Sequence, residues 1–292
     1  MSDARRHTFF VLLSVALVLF AFTPIRWLAA LSLNLGNNHL SYIPTVPFLS
    51  AALIYWNRKK IFSKLRTSAL PAATAFMISV VLYYASRTIG TRLDENDHLS
   101  LTIAALVAAW LGMFLLMYGS VAFKSGLFPL LFVGLIIPVP SRIMNAIVHF
   151  LQKGSAETSS LLFMLSGTPA YRKDVTFVLP GLTIDVAEAC SGIRSTLAIF
   201  IVTLIVAHLL LRSNWRRTAL LLAVVPISLV KNAVRIVTLS LLAIRLDMRF
   251  MTGSLHQDGG VLFMLLGLCL LYPFLFLLLR SEAKNVDSGV PL

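Results

Sequence analysis

Cys190 is the most reactive side chain that this sequence offers, and it comes at the predicted start of a hydrophobic helix, in Ala189-Cys190-Ser191-Gly192-Ile193-Arg194. The positive end of a helix dipole favours the thiolate form of such a cysteine. Arg194 lies four residues on, on the same helical face, and adds positive charge. The free N–H groups of the first helical turn are suited to bind an oxyanion. The pattern therefore predicts a nucleophilic cysteine, whereas Cys269, inside the last hydrophobic segment, has the pattern of a packing residue.

A polar stripe interrupts a later hydrophobic segment. Ser228, Lys231, Asn232, Arg235 and Thr238 fall on one face of a helix. A Lys or Arg near the centre of a spanning helix costs about 2.5–3.5 kcal/mol on insertion scales, and such residues usually face the interior of a bundle. Arg235 falls about 25 Å along the segment, close to its outer end. A snorkelling or structurally paired arginine is the alternative interpretation.

His256 lies in a predicted outer loop, in Leu255-His256-Gln257-Asp258-Gly259-Gly260. A lone loop histidine has an ordinary interpretation as a polar surface residue. Cys190, Arg235 and His256, however, all map to one face of the membrane. A thiol, a guanidinium and an imidazole supply the nucleophile, the anion stabiliser and the proton carrier that acyl transfer needs. We therefore predict these three as the catalytic residues.

Metal and cofactor chemistry is not indicated. The sequence has no His-Glu-x-x-His, no paired-cysteine spacing and no glycine-rich phosphate loop, so we expect neither a metal nor a cofactor. The basic run over 58–66 is short, and we expect it to fix topology and contact anionic lipid rather than nucleic acid.

The composition places the chain in a membrane. It is 58% hydrophobic and 13% charged, with a mean hydropathy of +0.85, whereas a soluble domain carries about 45–50% apolar and about 25% charged residues. This excludes a water-soluble globular protein, a disordered chain and a disulfide-stapled scaffold. We predict an all-α polytopic membrane protein with a single integral-membrane domain over 1–292. About eight segments approach the roughly 20 apolar residues that a spanning helix needs: 9–29, 41–57, 68–86, 99–118, 125–140, 190–211, 218–243 and 261–279.

Two segments differ from this pattern. Residues 141–165 are helical in period but polar, which predicts an interfacial helix on the outer surface; if this helix spans instead, every later loop changes side. The sequence Pro138-Val139-Pro140 before it should end the fifth span. Residues 167–188 alternate in polarity on either side of Pro180-Gly181, which predicts a short β-hairpin or extended flap outside the membrane.

The basic residues predict the orientation. With the N-terminus inside, 13 Lys and Arg fall in inner segments and 8 in outer ones, while 9 of the 12 acidic residues fall outside. Cytoplasmic loops carry the excess of Lys and Arg. We therefore expect both termini in the cytoplasm, with 281–292 as a cytoplasmic tail.

The sequence resembles the exosortase/archaeosortase family of membrane cysteine enzymes, most strongly over residues 100–279. The matching motifs, in the family's order, are Ala189-Cys190-Ser191-Gly192-Ile193-Arg194, Asn232-x-x-Arg235-Ile236, and His256 followed by Gly259-Gly260.

The resemblance implies a cysteine protease/transpeptidase in the cytoplasmic membrane, with its active site on the non-cytoplasmic face. Cys190 would be the nucleophile, and Arg235 and His256 the other catalytic residues. The implied substrates are exported proteins with a C-terminal sorting signal: a short motif, often Pro-Glu-Pro in bacteria, then a transmembrane helix and a basic cluster. Arg172 and Lys173 on the flap are candidates to attract an acidic motif residue.

Two other classes of function stay open from the residues alone. A transporter or channel would bind an anion at the Lys231/Arg235 stripe, and would be indifferent to changes at Cys190 and His256. A scaffold for polysaccharide or lipid machinery would tolerate loss of all three predicted catalytic side chains.

Overall fold

The computed structural model describes residues 3–34, 39–186, 192–252 and 260–287. Their contacts divide the chain into two compact units, 1–144 and 145–292. The helices of the first unit are α1 (Asp3–Phe20), α2 (Phe22–Leu33), α3 (Thr45–Trp56), α4 (Arg58–Ile61), α5 (Ala69–Thr88), α6 (Glu95–Ser125) and α7 (Leu127–Phe132).

The 31-residue helix α6 organises the first unit, where it packs against α1, α2, α4, α5 and α7. Its regular backbone is interrupted at Gly119, where φ is +85°. A methyl group at this position would lie 1.5 Å from the carbonyl oxygen of Arg66. Beside the interruption, the Ser120 N–H donates to the Ser68 hydroxyl at 2.9 Å. The turn that leads into α5 is thus fastened to α6 where only glycine fits.

The described part of the second unit contains five further helices and one small sheet. Its elements are α8 (Ser141–Leu165, which begins in the first unit), β1 (Tyr171–Lys173), β2 (Thr176–Leu179), β3 (Leu182–Asp185), α9 (Ile193–Leu210), α10 (Asn214–Arg245), α11 (Arg249–Thr252) and α12 (Gly260–Asp287). The strands are antiparallel, in the order β1-β2-β3. Gly181 has a φ of +74° in the turn between β2 and β3.

Two hydrophobic clusters hold the second unit together. In the first, side chains of the sheet such as Phe177 and Ile184 pack with Phe163 of α8 and with Ile236 and Val237 of α10. In the second, α9, α10 and α12 pack against one another. Because α10 takes part in both clusters, its C-terminal half lies next to the sheet and α8 and also contacts α9.

The predicted count of eight membrane spans is not confirmed in the described part of the chain. Among the described residues, five helices are long and apolar enough to cross a bilayer, and two bent pairs raise the total to seven at most. The five are α5, α6, α9, α10 and the Gly260–Ala283 part of α12. They correspond to five of the predicted segments, which confirms a polytopic helical membrane protein.

The count of eight is not confirmed because two predicted spans form short helices. In 41–57 the helix is Thr45–Trp56, whose 12 residues cover about 18 Å of a hydrocarbon core about 30 Å thick. In 125–140 only Leu127–Ile136 is helical, and the next helix, α8, turns away by 90°. The predicted first span is bent by 77° between α1 and α2.

The helix predicted over 141–165 and the stop before it are confirmed, since Pro138–Pro140 is not helical and α8 begins at Ser141. One face of α8 is buried, whereas Asn145, His149 and Lys153 are exposed. Its interfacial position stays a prediction. The predicted β-hairpin is confirmed as β2 and β3, to which β1 adds a third strand, and its place outside the membrane stays a prediction.

Candidate functional site

Of the three predicted catalytic residues, the structure describes Arg235. Cys190 and His256 lie outside the described residues. The described chain resumes at Gly192, two residues after Cys190, and at Gly260, four residues after His256. The described part of the site therefore consists of the residues around Gly192, around Arg235 and at the start of α12.

Lys231 is a buried cation where α9, α10 and α12 meet. Its side chain is 1% exposed, and its ammonium donates a hydrogen bond to the hydroxyl of Ser195 in the first turn of α9. The Ser195 hydroxyl in turn donates to the carbonyl oxygen of Gly192 at 3.0 Å. From α12, a methyl group at Gly267 would lie 3.3 Å from Lys231 Cδ. The lysine thus reaches past α12 to the start of α9.

Asn232 links the same place to α8. Its Nδ2 donates to the hydroxyl of Ser155 at 2.9 Å, and both residues are buried. A methyl group at Gly192 would lie 2.8 Å from Asn232 Oδ1. Gly192 has a φ of +71°, a conformation that costs other L-residues about 1–2 kcal/mol. Glycine is therefore required at position 192 both by its backbone and by the closeness of α10.

Arg235 follows Asn232 by three residues and Lys231 by four, so all three share one face of α10. Arg235 is half-buried, whereas Lys231 and Asn232 are 1% exposed. Ser228 is also buried, one turn earlier on that face. The predicted polar stripe is confirmed for these four residues, and Thr238 is exposed instead.

Positive charge collects at the start of α9. The N-terminus of a helix carries a partial positive charge, Lys231 bonds to its first turn, and Arg194 lies in that turn on the exposed side. In the described part of the chain, no carboxylate lies within 4.0 Å of the Lys231 ammonium. Such an arrangement favours an anion, either a thiolate or the oxyanion of an acyl-transfer intermediate.

The basic residues of the sheet are engaged locally. Arg172 Nε donates to the carbonyl oxygen of Asp174 at 2.6 Å, and its Nη2 lies 3.9 Å from Glu157 on α8. Lys173 is exposed. Gln152 of α8 donates to the carbonyl oxygen of Val186 at 3.0 Å, which fixes the chain directly before the segment that contains Cys190. The sheet thus holds one end of that segment, and α9 with α10 holds the other.

Three residues of this arrangement had no role in the sequence interpretation: Ser155, Ser195 and Gly267. The only available signal for Ser155 was its place in the run Gly154-Ser155-Ala156, since small residues let membrane helices approach closely. Gly154 does make such an approach, because a methyl group there would lie 2.8 Å from the side chain of Leu229.

A comparison with known families assigns the chain. A family model described as transmembrane exosortase matches residues 27–273, which include the three predicted catalytic residues and all of the network around Lys231 and Asn232. No curated protein and no solved structure matches. Because the matched region covers most of the chain, this protein belongs to the transmembrane exosortase family.

Proposed function

We propose that this exosortase is a membrane-embedded cysteine protease/transpeptidase, in which Cys190, Arg235 and His256 cleave the C-terminal sorting signal of exported proteins. The observation that carries the proposal is the contact between the start of α9 and the polar face of α10. Gly192, two residues after Cys190, lies against Lys231 and Asn232. These two residues of α10 precede Arg235 by about one helical turn. A trans peptide allows at most about 3.8 Å between successive Cα atoms, so this contact supports a thiol close to the guanidinium.

The position of α12 supports the place of His256. This helix begins four residues after His256 and packs against both α9 and α10. Gly267, within α12, lies next to Ile199 of α9 and to Lys231. A loop that leads into this helix therefore has the reach to bring an imidazole to the outer end of the same three-helix group.

The proposed reaction is acyl transfer through a thioester. The Cys190 thiolate attacks a backbone carbonyl of the substrate, and the oxyanion that forms is stabilised by Arg235. His256 gives a proton to the leaving amine as the peptide bond breaks. Water or the nucleophile of an anchor molecule then attacks the thioester, gives a proton to His256 and releases Cys190. Arg194 is the second candidate for the role of Arg235.

The substrates that we propose are exported proteins that end in a short motif, a transmembrane helix and a basic cluster. The protein would act in the cytoplasmic membrane at its outer face, with both termini in the cytoplasm. An even number of crossings is needed for that orientation, whereas seven crossings would put the termini on opposite sides. A cytoplasm-active reporter should therefore function at either terminus, and activity at only one terminus would contradict this topology.

The test is processing of a co-expressed, tagged substrate with such a C-terminal signal. Cys190→Ala should abolish the shift to the cleaved form while the variant stays in the membrane. Cys269→Ala is the matched control, because Cys269 is exposed on α12, and it should process normally. Cleavage by the Cys190→Ala variant would refute the nucleophile. An anion transporter would instead depend on Arg235 and be indifferent to Cys190 and His256.

A further inference from the structure

Lys231 occupies an electrostatically unfavourable position in the fold. Cations stabilise helices at C-termini, where the helix dipole is negative, and destabilise them at N-termini. The Lys231 ammonium lies instead at the N-terminus of α9, bonded to Ser195, with 1% of the residue exposed. An ionisable residue buried inside a membrane protein is costly, and it is retained where it serves the function.

The hydrogen bonds of Lys231 lead directly to the segment of the proposed nucleophile. The ammonium donates to Ser195, and Ser195 donates to the carbonyl oxygen of Gly192 at 3.0 Å. A methyl group at Gly192 would lie 3.4 Å from the Lys231 Nζ atom itself. The charge is therefore within a few ångströms of the backbone two residues after Cys190.

The described groups around Lys231 leave its charge without compensation. Its own helix has Ser228, Asn232 and the cationic Arg235 within about one turn, and α9 contributes the hydroxyl of Ser195, while Arg194 in the same turn of α9 is exposed. In α12, the nearest position is Gly267, which has no side chain. Of the residues that the structure describes here, none brings a carboxylate within 4.0 Å of the ammonium. A thiolate would supply a negative charge that these described groups do not.

We propose that Lys231 is a positioning residue of the exosortase site, which holds the turn at Gly192 through Ser195 and whose charge stabilises Cys190 as a thiolate. This inference rests on the proposed function, because it takes Cys190 as the nucleophile. It adds a residue that acts on the thiol from the side of the bundle core, in addition to Arg235. Lys231 need not contact the substrate to do so.

The test measures the ionisation of Cys190 by its rate of alkylation with N-ethylmaleimide as a function of pH, in membranes. The parent is Cys269→Ser, in which Cys190 is the only cysteine, since the chain has two. Lys231→Met keeps an unbranched apolar chain and removes the charge, and replacement of buried charges by apolar groups is often tolerated by folding. Lys231→Gln also removes the charge but retains a donor for Ser195, and serves if the methionine variant does not reach the membrane.

We expect the parent to alkylate with a midpoint below the pH of about 8.5 at which a free cysteine titrates. Both Lys231 variants should raise the midpoint by about one pH unit, which lowers the rate of alkylation at a pH well below the midpoint by about tenfold. Lys153→Met, at an exposed lysine of α8, is the matched control and should leave the midpoint unchanged. An ordinary midpoint in the parent, or an unchanged midpoint in the Lys231 variants, would overturn the proposal.

Ser195→Ala separates charge from hydrogen bonding, because it keeps the ammonium and removes the bridge to Gly192. Its midpoint should stay near that of the parent, and a rise equal to that of Lys231→Met would overturn the role of the charge. Alkylation requires no substrate. Cleavage of the tagged substrate by Cys190→Ala would therefore refute the proposed function. An alkylation midpoint that is the same in the Lys231 variants and in the parent would refute the role of Lys231.

Discussion

Asn232 donates a hydrogen bond to Ser155 at 2.9 Å between two buried side chains that are 77 residues apart in the sequence. This bond ties α8 to α10 beside Gly192. Ser155→Ala should lower the free energy of unfolding by about 0.6–1.5 kcal/mol, because a hydrogen bond between helices in a bilayer is worth little more than this. Unfolding in mixed micelles by titration with sodium dodecyl sulfate, followed by circular dichroism, measures the change.

The control for that prediction is Ser160→Ala, a half-buried serine further along α8. Its effect should stay within about 0.5 kcal/mol, as for most substitutions outside the core. Equal losses in the two variants would show that the bond to Asn232 contributes nothing specific.

Gly192→Ala should impair the proposed processing reaction. Alanine would pay about 1–2 kcal/mol for the left-handed backbone, and its methyl group would also collide with Asn232 at 2.8 Å. We expect processing of the tagged substrate to fall by more than about tenfold, which corresponds to about 1.4 kcal/mol in the barrier.

Gly181→Ala is the matched control for this change. Gly181 has a similar φ of +74°, and its missing Cβ would meet nothing within 4 Å. It should show the backbone cost alone, with processing largely retained. If both variants lose processing equally, the contact between Gly192 and α10 is not what matters.

A buried ion pair at the other end of α10 joins the start of this helix to the end of α12. Arg216, near the start of α10, forms an ion pair with Glu282 of α12 at 3.3 Å, and both side chains are almost completely buried. Glu282 also accepts hydrogen bonds from the backbone N–H groups of Arg212 and Ser213. Glu282→Gln would leave the guanidinium without its counter-charge, and we expect a loss of about 3 kcal/mol in the free energy of unfolding.

Asp247→Asn provides the comparison for that loss. Asp247 pairs with Arg249 at 3.8 Å, but the two side chains are 50% and 91% exposed. An exposed pair is worth about 0–1 kcal/mol. Thermal unfolding in detergent should therefore distinguish the two variants clearly, and similar melting temperatures would contradict the importance of burial.

The long spans could be predicted because hydrophobic runs of about 20 residues have few other uses. The span predicted over 41–57 is not confirmed, because a hydropathy window counts apolar residues without regard to backbone. Ile43 precedes Pro44, which disfavours helical backbone at that residue, and the α-helix starts only at Thr45. The strand β1 was not predicted, because its three residues Tyr171–Lys173 are too few to show an alternating pattern. It is a strand because its backbone pairs with β2.

The polar face of α10 was predictable from spacing along one helix, because Lys231, Asn232 and Arg235 recur with helical period. Their partners were not. Ser155 and Ser195 are common small residues in a hydrophobic chain, and only the folded structure brings them to the amide and the ammonium. The same holds for Gly192, whose sequence neighbours give no sign of the helix that presses against it.

Gly267 has a consequence for how Lys231 is studied. Because position 267 has no side chain, the methylene groups of the lysine fill space between α12 and the other two helices. An alanine scan at position 231 would therefore create a void and delete a charge in one step. Only replacements of matching length separate the contribution of hydrophobic volume from that of the ammonium. Replacement by alanine alone would overstate how much the charge of Lys231 contributes.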